Sequence, residues 1–236
     1  MELSVVIPAY NEALRLPHTL DRICHYLQQR ALSYEVLVVD DGSRDATAEV
    51  AEGFAERGVR VLRQGTNRGK GAAVRAGMQA SRGDRVLICD ADMSTPIEEI
   101  ELLEARLPEA PLVLGSRAVT DARITRRQPL YRELMGKTFN RVIRLLGITG
   151  IQDTQCGFKL IEGQLARRLA AKLTIERFAY DVELIWLAQR QGCRVVEVGV
   201  TWHNSPASKV HPVIDSVSML RDILRMRWRH RRRTRA

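Results

Sequence analysis

Short runs of β-branched and aliphatic residues alternate, along the first half of the chain, with longer segments whose apolar positions recur every three or four residues. The runs are 3–9 (LSVVIPA), 35–40 (EVLVVD), 59–63 (VRVLR), 85–90 (RVLICD) and 111–115 (PLVLG). Each ends near Gly, Pro, Asp or Asn, and together they predict buried strands. Helical spacing occupies roughly 13–31, 45–57, 70–81 and 96–107. Three of these segments carry start signals: Asp45 as a cap, Gly69 just ahead of the third, and Thr95-Pro96 with Glu98 and Glu99, whose charges suit a helix N-terminus. Beyond residue 118 come a polar loop with Arg123, Arg126, Arg127 and Arg132, a helix near 130–146 and the segment DTQCGFKLI (153–161). A helix at about 178–191, a strand VVEVGVTW (195–202) and an amphipathic helix from about 212 follow.

This alternation predicts an α/β fold, a doubly wound and mostly parallel sheet flanked by helices, with its ligand site at the carboxyl ends of the strands. The polar stretches 8–12, 40–43, 90–94 and 115–117 each follow a strand, which places them along one edge. With no internal repeat and no low-complexity linker, the simplest division is one domain over 1–210 and a C-terminal elaboration over 211–236.

With 236 residues, 45% hydrophobic and 28% charged, the chain has the make-up of an ordinary globular protein, which excludes disordered and multi-span classes. No apolar run approaches the roughly 18 to 20 residues of a membrane-crossing helix. The N-terminus MELSVVIPAYNE lacks the features of a signal peptide. Cys24, Cys89, Cys156 and Cys193 form no CxxC pair, which argues against a structural zinc site and for small core fillers in a reduced, cytoplasmic protein. The net charge of +9 suggests a nucleic-acid partner until it is located: residues 221–236 hold eight arginines and one aspartate, a local +7, leaving +2 for the rest.

Asp90 and Asp92 in CDADMSTP (89–96) stand two apart where a strand ends, so both carboxylates can project to one side. Two hard oxygen ligands so placed suit Mg²⁺ or Mn²⁺ bridging to a diphosphate. A D-x-D triplet alone also fits a solvated loop with a capping aspartate; its position at the strand end favours the metal. In VVDDGSRDAT (38–47) the adjacent Asp40 and Asp41 repel unless one meets a donor. Asp40 is expected to face inward as a turn residue, and Asp41 to recognise a nucleobase or ribose. The stretch GTNRGKGAAVRAG (65–77) has neither the spacer nor the hydroxyl of a P-loop, and is not G-x-G-x-x-G, so only Lys70 is kept from it as a substrate contact.

Taken together, VVIPAYNE (5–12), VVDDGSRDAT (38–47), NRGKGAAVRAG (67–77), CDADMSTP (89–96), GSR (115–117), DTQCGFK (153–159), DVEL (181–184) and VTWHNSPASKV (200–210) resemble the family 2 glycosyltransferases of GT-A type. Within them they resemble the group of dolichyl-phosphate β-glucosyltransferases and dolichol-phosphate mannose synthases, with DTQCGFK, TWH and SKV more similar to the glucosyl branch. The resemblance covers nearly the whole chain except the arginine tail. It implies a GT-A fold, with Pro8, Tyr10, Glu12 and Asp41 at nucleotide-binding positions and Asp90 and Asp92 at the metal and diphosphate motif. Ser94 stands where the mannose synthases often carry glutamine. The resemblance further implies that Arg117 and Arg132 hold an acceptor phosphate and that Ser208 and Lys209 belong to a loop near the donor diphosphate.

The implied reaction is an inverting, metal-assisted transfer of a hexose to a polyprenyl or dolichyl phosphate, with UDP-glucose as the first donor and GDP-mannose as the alternative. Such an acceptor is already anionic, so it attacks without a general base, and the site needs cations. A saccharide-hydroxyl acceptor would instead require a carboxylate base, for which Asp181 and Glu183 are the candidates; two apart on a helix, they diverge. The tail DSVSMLRDILRMRWRHRRRTR reads as a basic amphipathic helix that holds the protein peripherally at the cytoplasmic membrane face. A core-packing helix or a nonspecific nucleic-acid contact are its alternatives; nucleic acid is not expected as a partner, and a membrane protein presenting the lipid remains compatible. A catalytically silent nucleotide-sugar or nucleic-acid binder is the contrasting class of function.

Overall fold

The computed structural model describes residues 1–126, 143, 148–203 and 212–233. Nine strands are described: β1 (Leu3–Ala9), β2 (Tyr34–Asp40), β3 (Val59–Arg63), β4 (Arg85–Ile88), β5 (Leu112–Ser116), β6 (Arg123–Arg126), β7 (Lys159–Glu162), β8 (Val195–Gly199) and β9 (Thr201–His203). The helices are α1 (Leu16–Gln29), α2 (Thr47–Glu52), α3 (Lys70–Ala80), α4 (Ile100–Glu104), α5 (Gly163–Ala170), α6 (Tyr180–Arg190) and α7 (Pro212–Arg233). Seven strands make one sheet in the order β3-β2-β1-β4-β7-β5-β8, parallel except for β7, which runs against both neighbours.

Period-two alternation sends successive side chains to opposite faces of this sheet. Val5, Ile7, Val36 and Val38 join α1 on one face, through Leu16, Leu20, Ile23 and Leu27. Val6, Leu37, Val39, Val86 and Ile88 pack on the other against α3, α5 and α6. Both faces are covered, so the central strands read as continuous apolar runs. The apolar side of α7, formed by Met219, Ile223 and Met226, joins the second of these layers.

Three features depart from the sequence expectation. The first is the pair β7 and α5, which spacing alone did not resolve: a lysine interrupts the apolar run of the strand, and β7 is antiparallel where alternation implies parallel. The second is the expected strand 195–202, which divides at Val200; β8 stays in the main sheet while β9 pairs with β6. The third concerns α2, which starts at Thr47, where Asp45 accepts the Thr47 N–H at 3.1 Å from just outside the helix. The helix expected near 130–146 lies outside the described residues except for Ile143.

Candidate active site

Because β1, β2, β4 and β5 are parallel, their carboxyl ends share one edge, and antiparallel β7 brings its beginning, Lys159, to that same edge. Pro8 lies in β1, and Tyr10 and Glu12 in the loop that follows; Asp41 follows β2, Asp90 and Asp92 follow β4, and Arg117 follows β5. Lys70 opens α3 and Asp181 stands in the first turn of α6. Arg132, Ser208 and Lys209 lie outside the described residues.

The two aspartates after β2 divide their work. Asp40 accepts the Ser43 N–H at 3.1 Å and closes a turn. Asp41 accepts the backbone N–H groups of Arg68 and Gly69 at 2.8 and 2.7 Å. Its donors therefore come from the chain itself, and burial raises its pKa against the pull of those amides. Gly69, at φ +110°, is tied to the next loop, since a Cβ there would lie 2.6 Å from the carbonyl oxygen of Glu176.

After β4 the chain turns sharply, with Met93 in the left-handed region at φ 49°. Asp92 accepts from the N–H and hydroxyl of Ser94 at 3.0 and 2.9 Å, which fixes its carboxylate and leaves Oδ2 facing Arg15 Nη1 at 3.9 Å. Arg15 is itself clamped by both carboxylate oxygens of Glu12 at 2.7 Å. Glu12 thus anchors an arginine that reaches toward Asp92. Lys70 Nζ lies 2.6 Å from Asp90 Oδ1. Burial pushes the Asp90 pKa upward, but the Lys70 ammonium, with Lys159 and Arg117 beyond it, holds it below the usual carboxylate range. Asp90 is also pressed from β7's side: a Cβ on Gly157 would lie 2.0 Å from its Oδ2, so any larger residue there must displace that carboxylate.

Arg117 donates from Nε and Nη2 to the two oxygens of Asp153 at 2.7 and 2.9 Å, and its guanidinium carbon sits 5.4 Å from the centre of the Trp202 ring. Against the cost of burial, this bidentate partner draws the Asp153 pKa down to about 2. Deeper still, fully buried Lys159 lies 2.5 Å from Asp181 Oδ1 and also donates to the Cys156 carbonyl oxygen. Burial raises the Asp181 pKa, and the Lys159 ammonium opposes it. Glu183, the other carboxylate considered as a base, accepts the N–H groups of Thr174 and Ile175 at 2.8 and 2.7 Å and the Thr174 hydroxyl at 2.8 Å, and lies 2.8 Å from His230 Nε2. It fastens a loop and the last helix.

Asp90 and Asp92 fit a hard divalent cation in part: they offer two oxygen-bearing side chains on one turn, the share that protein supplies when phosphate oxygens and water complete the shell. Among the described residues no group of three or more His, Cys, Asp or Glu could hold a metal alone. Asp153, Lys159 and Arg15 were not singled out from the sequence. A charge within the apolar run GFKLI is the one signal that could have found Lys159, since a lysine in a buried strand requires a counter-ion.

The profile of the family described as Glycosyl transferase family 2 matches residues 4–167. The chain belongs to this family. Over 97% of its length it is 37% identical to the dolichyl-phosphate beta-glucosyltransferase of Dictyostelium discoideum, covering 74% of that protein. It is 38% identical, again over 97% of its length, to the human protein of the same name, covering 76% of it. The fold is that of the GT-A glycosyltransferases: the crystal structure of glucosyl-3-phosphoglycerate synthase from Mycobacterium tuberculosis in complex with Mn²⁺ and UDP-glucose superimposes with a TM-score of 0.66 at 21% identity, covering 94% of this chain and 76% of that one.

Proposed function

We propose that the chain transfers glucose from UDP-glucose to the phosphate of a polyprenyl lipid of the dolichyl type, inverting the anomeric carbon. The names of its relatives support the transferred sugar and the acceptor class. The observation that carries the reading is the engagement of both candidate bases: Asp181 is paired with Lys159, and Glu183 is consumed by backbone amides and His230. A hydroxyl acceptor needs a carboxylate to take its proton, whereas a phosphate monoester arrives as a nucleophile. The cations at the same edge suit the second case.

In this reading Asp90 and Asp92 would hold Mg²⁺ or Mn²⁺, which would supply positive charge to offset that of a nucleoside diphosphate. Lys70 keeps Asp90 ionised and oriented, while Ser94 fixes the Asp92 carboxylate. Arg117, aligned by Asp153 and backed by Trp202, presents its remaining N–H to the acceptor phosphate, jointly with Arg132. Pro8, Tyr10, Glu12 and Asp41 shape the nucleoside side, with Asp41 acting through the Arg68–Gly69 loop that it holds; Ser208 and Lys209 are assigned to the donor diphosphate on the family resemblance alone. No helix among the described residues is long and apolar enough to cross a membrane; the basic C-terminal helix brings the site to the bilayer peripherally, at its cytoplasmic face.

The test incubates purified protein with UDP-glucose or GDP-mannose, a polyprenyl phosphate and Mg²⁺ or Mn²⁺, with Asp92→Ala alongside, and detects glycolipid by mass spectrometry. A metal-dependent glucolipid lost in the variant supports the reading. Product from GDP-mannose alone would move the donor to mannose, and no product from either would remove the reaction.

A further inference from the structure

One face of α7 is spent on the core, and the rest of the helix carries two features that the transfer site does not use. The first is an apolar stripe at helical spacing, Val217, Leu220, Leu224 and Trp228, which is 66, 36, 52 and 56% exposed. Arg221, Arg225 and Arg229 run along one flank of that stripe, four residues apart. The second is a groove of about 430 Å³ between α7 and the loop before α6, lined in part by Arg68, Glu176, Arg177, Asp222, Arg225 and Arg229.

Within the groove the charges do not balance. Arg68 is paired with Glu176, and Arg177 with Asp222 at 3.4 Å. Arg225 and Arg229 have no ion-pair partner among the described residues, and as like charges at i and i+4 on a helix they repel. An anion between them relieves that repulsion. The adjoining exposed stripe sets where such an anion lies: an interfacial helix buries its apolar stripe at the acyl boundary and leaves flanking arginines at headgroup depth.

We propose that this groove binds the headgroup phosphate of an anionic phospholipid, with Arg225 and Arg229 as its principal donors and Arg177 on the opposite wall. The inference rests on the reading that the C-terminal helix meets the bilayer, and it names the site and the chemistry of that contact. It also links the contact to the donor side. The Glu176 carbonyl oxygen accepts the Ala72 N–H at 2.9 Å, so the groove's far wall is hydrogen-bonded to the first turn of α3, two residues from Lys70. A headgroup held there orients the strand-end edge relative to the membrane plane.

The experiment floats the full chain with vesicles of phosphatidylcholine alone or mixed with phosphatidylglycerol, without donor or acceptor, so its outcome is independent of whether transfer occurs. The variants are Arg225→Gln with Arg229→Gln, Arg177→Gln alone, and a control of equal charge loss, Arg63→Gln with Arg106→Gln. Wild type is expected to prefer anionic vesicles. The groove pair is expected to lose affinity about 25-fold, at about fivefold for each arginine removed from the surface, and Arg177→Gln to lose part of that. The control pair is expected to stay within about threefold of wild type. Equal binding by wild type to both vesicle types, an unaffected groove pair, or a control pair that falls as far as the groove pair would overturn the proposal. An unaffected Arg177→Gln would also overturn it, by reducing the contact to the helix alone. Titration with inorganic phosphate closes the design: binding as tight as to vesicles would make this a free-phosphate site instead.

Discussion

Lys159 Nζ and Asp181 Oδ1 lie 2.5 Å apart at a depth where the lysine side chain is wholly excluded from solvent. A charge pair this deep stabilises little on its own account, because desolvation offsets the attraction, but removing one member strands the other. Lys159→Met is therefore expected to destabilise the fold by about 3 to 5 kcal/mol. Adding Asp181→Asn should recover part of that loss. Urea unfolding of the two single variants and the double variant measures the coupling, and purely additive effects would show that the pair does not act as a unit.

The ion pair between Arg117 and Asp153 predicts a specific pH dependence. The Asp153 carboxyl is lowered from 3.8 to about 2 in the folded chain, so the unfolded state takes up the proton first as pH falls. Its stabilisation is present in full above pH 4 or so and is lost as pH falls through about 2, amounting to about 2 kcal/mol. Unfolding free energies measured across this window should show the extra loss in wild type and not in Asp153→Asn, which starts from a lower stability at neutral pH.

Gly157→Ala separates catalysis from folding. The added methyl meets the carboxylate of Asp90 rather than backbone, so the fold can accommodate it by turning that side chain. Stability is expected to fall by no more than about 1 kcal/mol, while transfer falls at least about tenfold because Asp90 is displaced from Lys70. A thermal melt and a transfer assay on the same preparation check both halves; unchanged activity would mean that the position of Asp90 does not matter.

Glu183 predicts what fastens α7. It joins the Thr174–Ile175 amides to His230, so Glu183→Gln places an amide N–H₂ against groups that are themselves donors. The expected cost is about 3 kcal/mol. Hydrogen exchange should show faster exchange in α7 and in the loop it covers, whereas loss confined to α6 would contradict this latch.

Much of the fold was legible in the sequence because its strands are buried on both faces and announce themselves as aliphatic runs, VVIPA, VLVV and VLI among them, ending at the polar loops that line one edge. The antiparallel β7 was hidden for the same reason inverted: Lys159 breaks its apolar run, and only the counter-charge of Asp181, supplied by a distant helix, makes it tolerable there. The site was legible as residue types and not as pairings. Asp41, Arg117 and Glu183 each invited a ligand or a proton, and each is engaged in the fold by groups remote in sequence: the Arg68–Gly69 amides, Asp153, and the Thr174–Ile175 amides with His230. Long-range partners of that kind follow from topology, which spacing along the chain does not encode. The tail packs Met219, Ile223 and Met226 into the core, as the core-packing alternative implies, and leaves Leu224 and Trp228 exposed beside arginines.

The most direct measurement offers the purified protein UDP-glucose with two acceptors that differ only at the reacting group, a polyprenyl phosphate and the corresponding polyprenol. Both Asp181 and Glu183 are engaged elsewhere, so glucolipid should form from the phosphate and not from the alcohol, and should vanish in Asp92→Ala. Comparable product from the alcohol would show that a general base operates in this site, contradicting a mechanism in which the acceptor brings its own negative charge.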